Sequence, residues 1–278
     1  MIRARRLFVV AASIGISAVV SLAVAQEEAR EDRSGAAYRK ALHEKLDVEI
    51  ERLTARIADA PENVELYSRR GDARFFRGKF AEAVADFDRM VELQPELDKS
   101  HWRRGIALFY ARQYDKAAHQ FEIYHSFDNV DRENGVWRYL SQFKSAGRGK
   151  AREGLLRYEK DDREPFPDVY RMFAGELTGR EVIERIERAE IPDTDRQKRQ
   201  FYADLYVGLN QFVEGDLAAA EKHLQAAVRN RWGESAGGGP TWMWHVARVH
   251  HDLLRDAREQ KGEGKSPESS PSSQRDPK

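Results

Sequence analysis

Apolar residues recur at Tyr38, Leu42, Leu46, Ile50, Leu53 and Ile57, steps of three and four that place them on one face of a single helix from about residue 34 to 57. Beyond it, shorter amphipathic stretches follow in pairs. One pair closes at Leu93-Gln94-Pro95, where proline stops a helix. Later stretches are divided by Pro165, Pro167 and Pro192, and Leu177-Thr178-Gly179 reads as a turn within 166–189. The segment 135–159 reads as a further irregular hairpin, and TWMWHVARVHHDLLRDA (241–257) as a final helix. No stretch alternates apolar and polar residues as a half-buried strand would, so the pattern predicts an all-α fold.

Two of the paired segments say nearly the same thing. GDARFFRGKFAEAVADFDRM (71–90) returns 34 residues later as GIALFYARQYDKAAHQFEIY (105–124). Gly71 matches Gly105, Ala73 matches Ala107, Phe75 matches Phe109, Ala83 matches Ala117 and Phe87 matches Phe121. FYADLYVGLNQFVEGDLAAAEKHLQAAV (201–228) repeats the pattern through Gly208, Gly215, Ala220, Leu224 and Ala227. Small residues at such positions let two helices approach closely, and the large ones fill the space between units.

The period and its small-residue code resemble the tetratricopeptide repeat (TPR), which implies a right-handed superhelical solenoid of helical hairpins. On that reading regular repeats span about 64–97, 98–130 and 201–232, within a solenoid of 61–258. Irregular hairpins occupy 135–190, a capping segment 26–60 precedes the stack, and a cap at 241–257 closes it. The run RRGIALFYARQYDKAAHQF, then WRYL, AGELTGREVIERI and FYADLYVGL, is similar to the bacterial outer-membrane lipoprotein family called new lipoprotein I, over about residues 62–230. That resemblance implies a non-enzymatic scaffold of the cell envelope whose protein partners are peptidoglycan hydrolases and synthases or a processing protease, and it allows a homodimer. The family's tether is a lipidated cysteine, and this chain has no cysteine.

Stacked hairpins present their first helices to a concave groove. Phe75, Phe76, Trp102, Ile106, Phe109, Tyr110, Tyr202, Leu205, Leu209 and Phe212 fall on that side in the repeat register, giving an aromatic groove suited to anchoring a partner. Arg69-Arg70 and Arg103-Arg104 repeat at the same interval and are expected to pair with acids on neighbouring helices, Asp86 or Glu122.

Composition narrows the remaining chemistry. Lys plus Arg and Asp plus Glu both number 47, so the net charge is zero, against a dedicated nucleic-acid binder. The absence of cysteine removes disulfides, thiolate nucleophiles and Cys-based zinc sites. His245, His250 and His251 are spaced by five and six rather than four, no metal box occurs, and no cofactor is expected. The acidic run Asp161, Asp162 and Glu164 reads as solvated charge. Gly233-Glu234-Ser235-Ala236-Gly237 matches the esterase string, and makes a serine hydrolase using Ser235 one alternative function. A structural subunit of an envelope or secretion complex is another. MIRARR, an apolar run and Ala23-Val24-Ala25 form a signal-peptide pattern (1–25) with cleavage before Gln26, implying a periplasmic or secreted protein. The rival is an uncleaved N-terminal membrane anchor. EQKGEGKSPESSPSSQRDPK (259–278) has no apolar side chain and is expected to be a disordered tail.

Overall fold

A computed structural model describes residues 35–160 and 162–263, and among them the chain is all helical, with no strand. Helix α1 (Ala36–Asp59) buries Ile50, Leu53 and Ile57 against α2 (Val64–Arg77). Asn63 opens α2 by accepting the Glu65 N–H, and Gly78 closes it in the left-handed region at φ 87°. That closure turns the chain into α3 (Phe80–Leu93) within two residues. A 3₁₀ turn, Pro95–Ser100, leads to α4 (Trp102–Tyr110), and α5 (Tyr114–Phe127) follows.

The repeated glycines sit at close approaches. A Cβ on Gly71 would lie 2.5 Å from the Phe87 ring, and one on Gly105 would lie 2.6 Å from the Phe121 ring. The same 16-residue step recurs downstream, where a Cβ on Gly208 would lie 2.8 Å from Leu224 Cγ. In each case the glycine of one helix receives the bulky side chain of the next, so the sequence periodicity is a packing periodicity. The arginines obey it too: Arg70 meets Asp86 at 2.7 Å and Arg104 meets Gln120 at 2.6 Å, again 16 residues on.

The middle of the chain holds two hairpins. In the first, α6 (Arg132–Glu153) is two helical limbs on either side of Gly147, whose φ of 86° is left-handed. The second limb returns along the first, so that the Arg138 guanidinium donates to the Gly154 carbonyl and a Cβ on Gly154 would meet the Gln142 side chain. The second expected hairpin is present as α7 (Phe166–Ala174) and α8 (Gly179–Arg188), with Thr178 and Glu181 forming a capping box at the predicted turn. Then come α9 (Asp193–Glu214), α10 (Leu217–Arg229) and the five-residue α11 (Arg231–Ser235).

The last helix, α12 (Gly238–Glu263), does more than cap an end. It touches α1 through Tyr38–Trp244, α2 through Phe75–Trp242, α4 through Tyr110–His250, α9 through Phe212–His250 and α10 through the Trp244–Val228 hydrogen bond. A helix that contacts both early and late hairpins lies between them. Its inward residues are accordingly buried almost all round, including Met243, Val246, Ala247, Arg248, His251 and Asp252. It also runs past Glu259, the expected start of the tail, to Glu263. The expected signal segment 1–25 and residues 264–278 of the expected tail lie outside the described residues.

Candidate functional site

The structure corrects the aromatic groove. Phe75, Ile106, Phe109, Tyr110, Tyr202, Leu205 and Leu209 are each at most 9% exposed, and Phe76, Trp102 and Phe212 are half-buried. For half of them the reason is α12, which occupies the space a partner would need, while Phe109 packs on Trp137 and Tyr202 on Phe166 and Trp232. Trp242 stacks on Phe75 with ring centres 4.7 Å apart and meets Trp102 edge-on at 4.9 Å. His245 stacks on Phe76 at 3.9 Å, and Tyr110 hydrogen-bonds His250 at 2.9 Å. Leu205 and Leu209 belong to the same continuous core. Five of the ten residues expected to anchor a partner, Phe75, Phe76, Trp102, Tyr110 and Phe212, therefore anchor the chain's own C-terminal helix.

One part of the groove stays unfilled. A cavity of about 370 Å³ lies between α4, α5, α6, α9, α11 and the start of α12. Of the ten expected groove residues, Trp102, Ile106 and Tyr202 line it. Trp137 and Trp232 add walls, and the half-exposed Trp102, Lys198 and Trp232 bring it to the surface. Its volume falls in the range of small-ligand sites.

A charged cluster forms one side. Asp131 caps α6, accepting the Glu133 N–H at 3.0 Å, and Asp162 accepts the Arg132 N–H at 2.9 Å. Two carboxylates at a helix N-terminus satisfy amides that have no partner inside the helix. Arg163 then reaches Asp131 at 3.1 Å, Glu133 at 2.5 Å and Asp162 at 3.3 Å, while lying over the Phe166 ring at 4.3 Å. The Tyr206 hydroxyl donates to Glu133. Three carboxylates thus share one guanidinium.

The electrostatics follow from that ratio. Burial, only partly offset by Arg163 and reinforced by Asp131 and Asp162, pushes the Glu133 carboxyl up to about 7. Burial also raises Asp131 against the pull of Arg163. For Arg163, burial opposes the charge, but the three carboxylates outweigh it and hold the group above its ordinary value.

Sequence reasoning missed most of this cluster. Asp162, read as solvated, has only 6% of its side chain exposed. The available signal was Asp-Arg-Glu-Asn at 131–134, a helix-start pattern, but nothing local links it to Arg163. All four repeated arginines make ion pairs, but only Arg70 meets an expected partner, the buried Asp86; Arg69 meets Glu49, Arg103 meets Asp72, Arg104 meets Asp88 and Asp98, and Glu122 is held by Arg138.

The other candidate chemistry is placed as follows. Ser235 ends α11, and its Oγ donates to the Arg231 carbonyl at 2.8 Å on an exposed helix rather than a strand-to-helix turn. His250 and His251 are buried in α12 and His245 is half-buried. Among the described residues no cluster of three or more His, Asp or Glu could hold a metal, and no helix is long and apolar enough to cross a membrane. No family model matches the chain.

Proposed function

We propose that this chain is an exported, non-enzymatic helical-repeat adaptor of tetratricopeptide type that binds partner proteins in the cell envelope. The resemblance drawn from the sequence points to peptidoglycan hydrolases, synthases or a processing protease as those partners. Support for the repeat comes from the recurring contact of Gly71 with Phe87 and Gly105 with Phe121 at one 34-residue interval. Support for export is the signal-peptide pattern ending at Ala25.

The observation that carries the binding role is the aromatic-walled cavity beside Trp102, Tyr202 and Trp232. It moves the proposed contact from the whole groove to the one part that α12 leaves open. Half-buried tryptophans around a recess supply large area with few rotatable bonds.

The test is affinity capture from cell-envelope extract, with the wild-type chain against a Trp102→Ala/Trp232→Ala variant of unchanged helicity. Phe109 and Tyr110 stay intact because they are core. Recovery of cell-wall enzymes or a protease by the wild type alone supports the reading. Equal recovery by both moves binding to the outer faces, and recovery of neither class removes the envelope-adaptor role. Mass spectrometry of the exported product should give Gln26 as the first residue.

A further inference from the structure

The cavity is more than an apolar recess. It brings tryptophan and tyrosine faces against a set of carboxylates that outnumber their internal cation. Arg163 bonds Asp131 through Oδ1, which also takes the Glu133 amide, and Tyr206 holds Glu133 Oε1. Among the described residues Asp131 Oδ2 receives no hydrogen bond, although Asp131 lines the cavity. Trp137 also lines it and is 1% exposed, with its indole N–H beside the Tyr206 hydroxyl.

We infer that this cavity is a receptor for an organic ammonium group carried on an apolar stem, the ammonium meeting Asp131 and Glu133 and the stem lying against Trp102, Tyr202 and Trp232. Asp131, Glu133 and Asp162 against Arg163 and the rim's Lys198 leave one net negative charge above pH about 7, which favours a cation over an anion. Aromatic faces within reach of that cation add to the preference. A volume of about 370 Å³ admits a lysine-sized molecule with room for its amide groups. The inference goes beyond the adaptor role, because the ammonium can belong to a free amine or to a lysine side chain of a partner.

Glu133 makes the site pH-dependent. It faces Arg163 and Asp162 from the segment before α7, Asp131 from the start of its own helix, and Tyr202 and Tyr206 from α9, with Lys198 at the cavity rim. An ammonium guest keeps its charge across neutral pH. Affinity should therefore fall as pH drops through about 7, where Glu133 takes up a proton.

The experiment is calorimetric titration of the full-length chain, followed in parallel by tryptophan fluorescence. The probes are Nα-acetyl-lysine methylamide, its neutral isostere Nα-acetyl-norleucine methylamide, glutarate, cadaverine and a lysine-containing peptide. The lysine amide should saturate the site and bind at least about tenfold more tightly than the norleucine amide. Glu133→Gln should weaken it about tenfold. Lys198→Glu, at a half-exposed rim position that leaves the fold alone, should tighten it about threefold. Tighter binding of the peptide than of cadaverine assigns the ammonium to a partner's lysine, and the reverse assigns it to a free amine. Equal binding of the norleucine amide, preference for glutarate, or no saturation by any amine up to about 10 mM overturns the proposal.

Discussion

Trp242→Ala tests the central structural claim, that α12 belongs to the core. Trp242 is buried, stacks on Phe75, meets Trp102 and Phe76, and donates its indole N–H to Asp72 at 2.9 Å. Truncating a buried tryptophan costs about 3–5 kcal/mol through lost transfer energy and the cavity left behind. The lost hydrogen bond adds to this, because burial already raises the Asp72 carboxyl and Arg103 would be left as its main support. For a chain of this size about 1 kcal/mol moves the melting temperature by about 2–4 °C, so the variant should melt about 6–20 °C lower. Trp242→Phe keeps a ring on Phe75 and removes the N–H, and should cost only about 1–2 kcal/mol. Thermal melts give the stability, and hydrogen exchange locates the change. In the parent, α12 amides should exchange as slowly as those of α2 and α9, and in Trp242→Ala the stretch 238–250 should open first. A variant within about 1 kcal/mol of the parent, or a parent whose α12 amides exchange freely, would refute the internal placement of this helix.

Gly71→Ala should destabilise by about 1–3 kcal/mol despite alanine's better helix propensity, because its Cβ meets the Phe87 ring at 2.5 Å. Gly149→Ala, with no atom within 4 Å of the new Cβ, should instead stabilise by about 0.5–1 kcal/mol, and urea melts of the two variants check the opposite signs. Arg163→Ala leaves Asp131, Glu133 and Asp162 without their shared cation and should cost about 3–5 kcal/mol at pH 8, with a smaller loss at pH 6 where Glu133 is protonated. Burial holds His101, His245 and His250 down to about 3, and the neighbouring arginines or lysine add to this. The unfolded chain therefore binds more protons below pH about 6.5, so stability is full above that value and falls as pH drops toward 3. A denaturation midpoint unchanged between pH 7 and 4 would contradict these burials. Ser235→Ala should leave stability within about 0.5 kcal/mol, and labelling of Ser235 by a fluorophosphonate would revive the hydrolase reading.

How much of this was legible in the chain depends on the range of each interaction. The helices, the closures at Gly78 and Gly215 and the capping box at Thr178 are set by residues within a turn of one another, and the linear pattern contains them. The glycine-to-aromatic contacts were legible for a related reason, since a fixed step of 16 residues repeated along the chain leaves a periodic trace. The pairing of Arg70 with Asp86 was readable through the same step.

The fate of the groove was not. The spacing of Phe75, Phe76, Trp102, Tyr110 and Phe212 says that they share one side, but it cannot say what covers that side. The answer lies about 40 to 170 residues away in Trp242, His245 and His250, and no periodicity links those positions. The charged cavity has the same origin: Glu133 meets Arg163 and Tyr206 from separate helices or segments, and the burial that raises its carboxyl comes from the packing around it. By itself the sequence determined the helices and the code by which neighbouring helices meet, because those are local and repeated. Only the tertiary structure decided that the last helix fills the groove and that an acidic, aromatic recess remains, because those depend on distant residues brought together once.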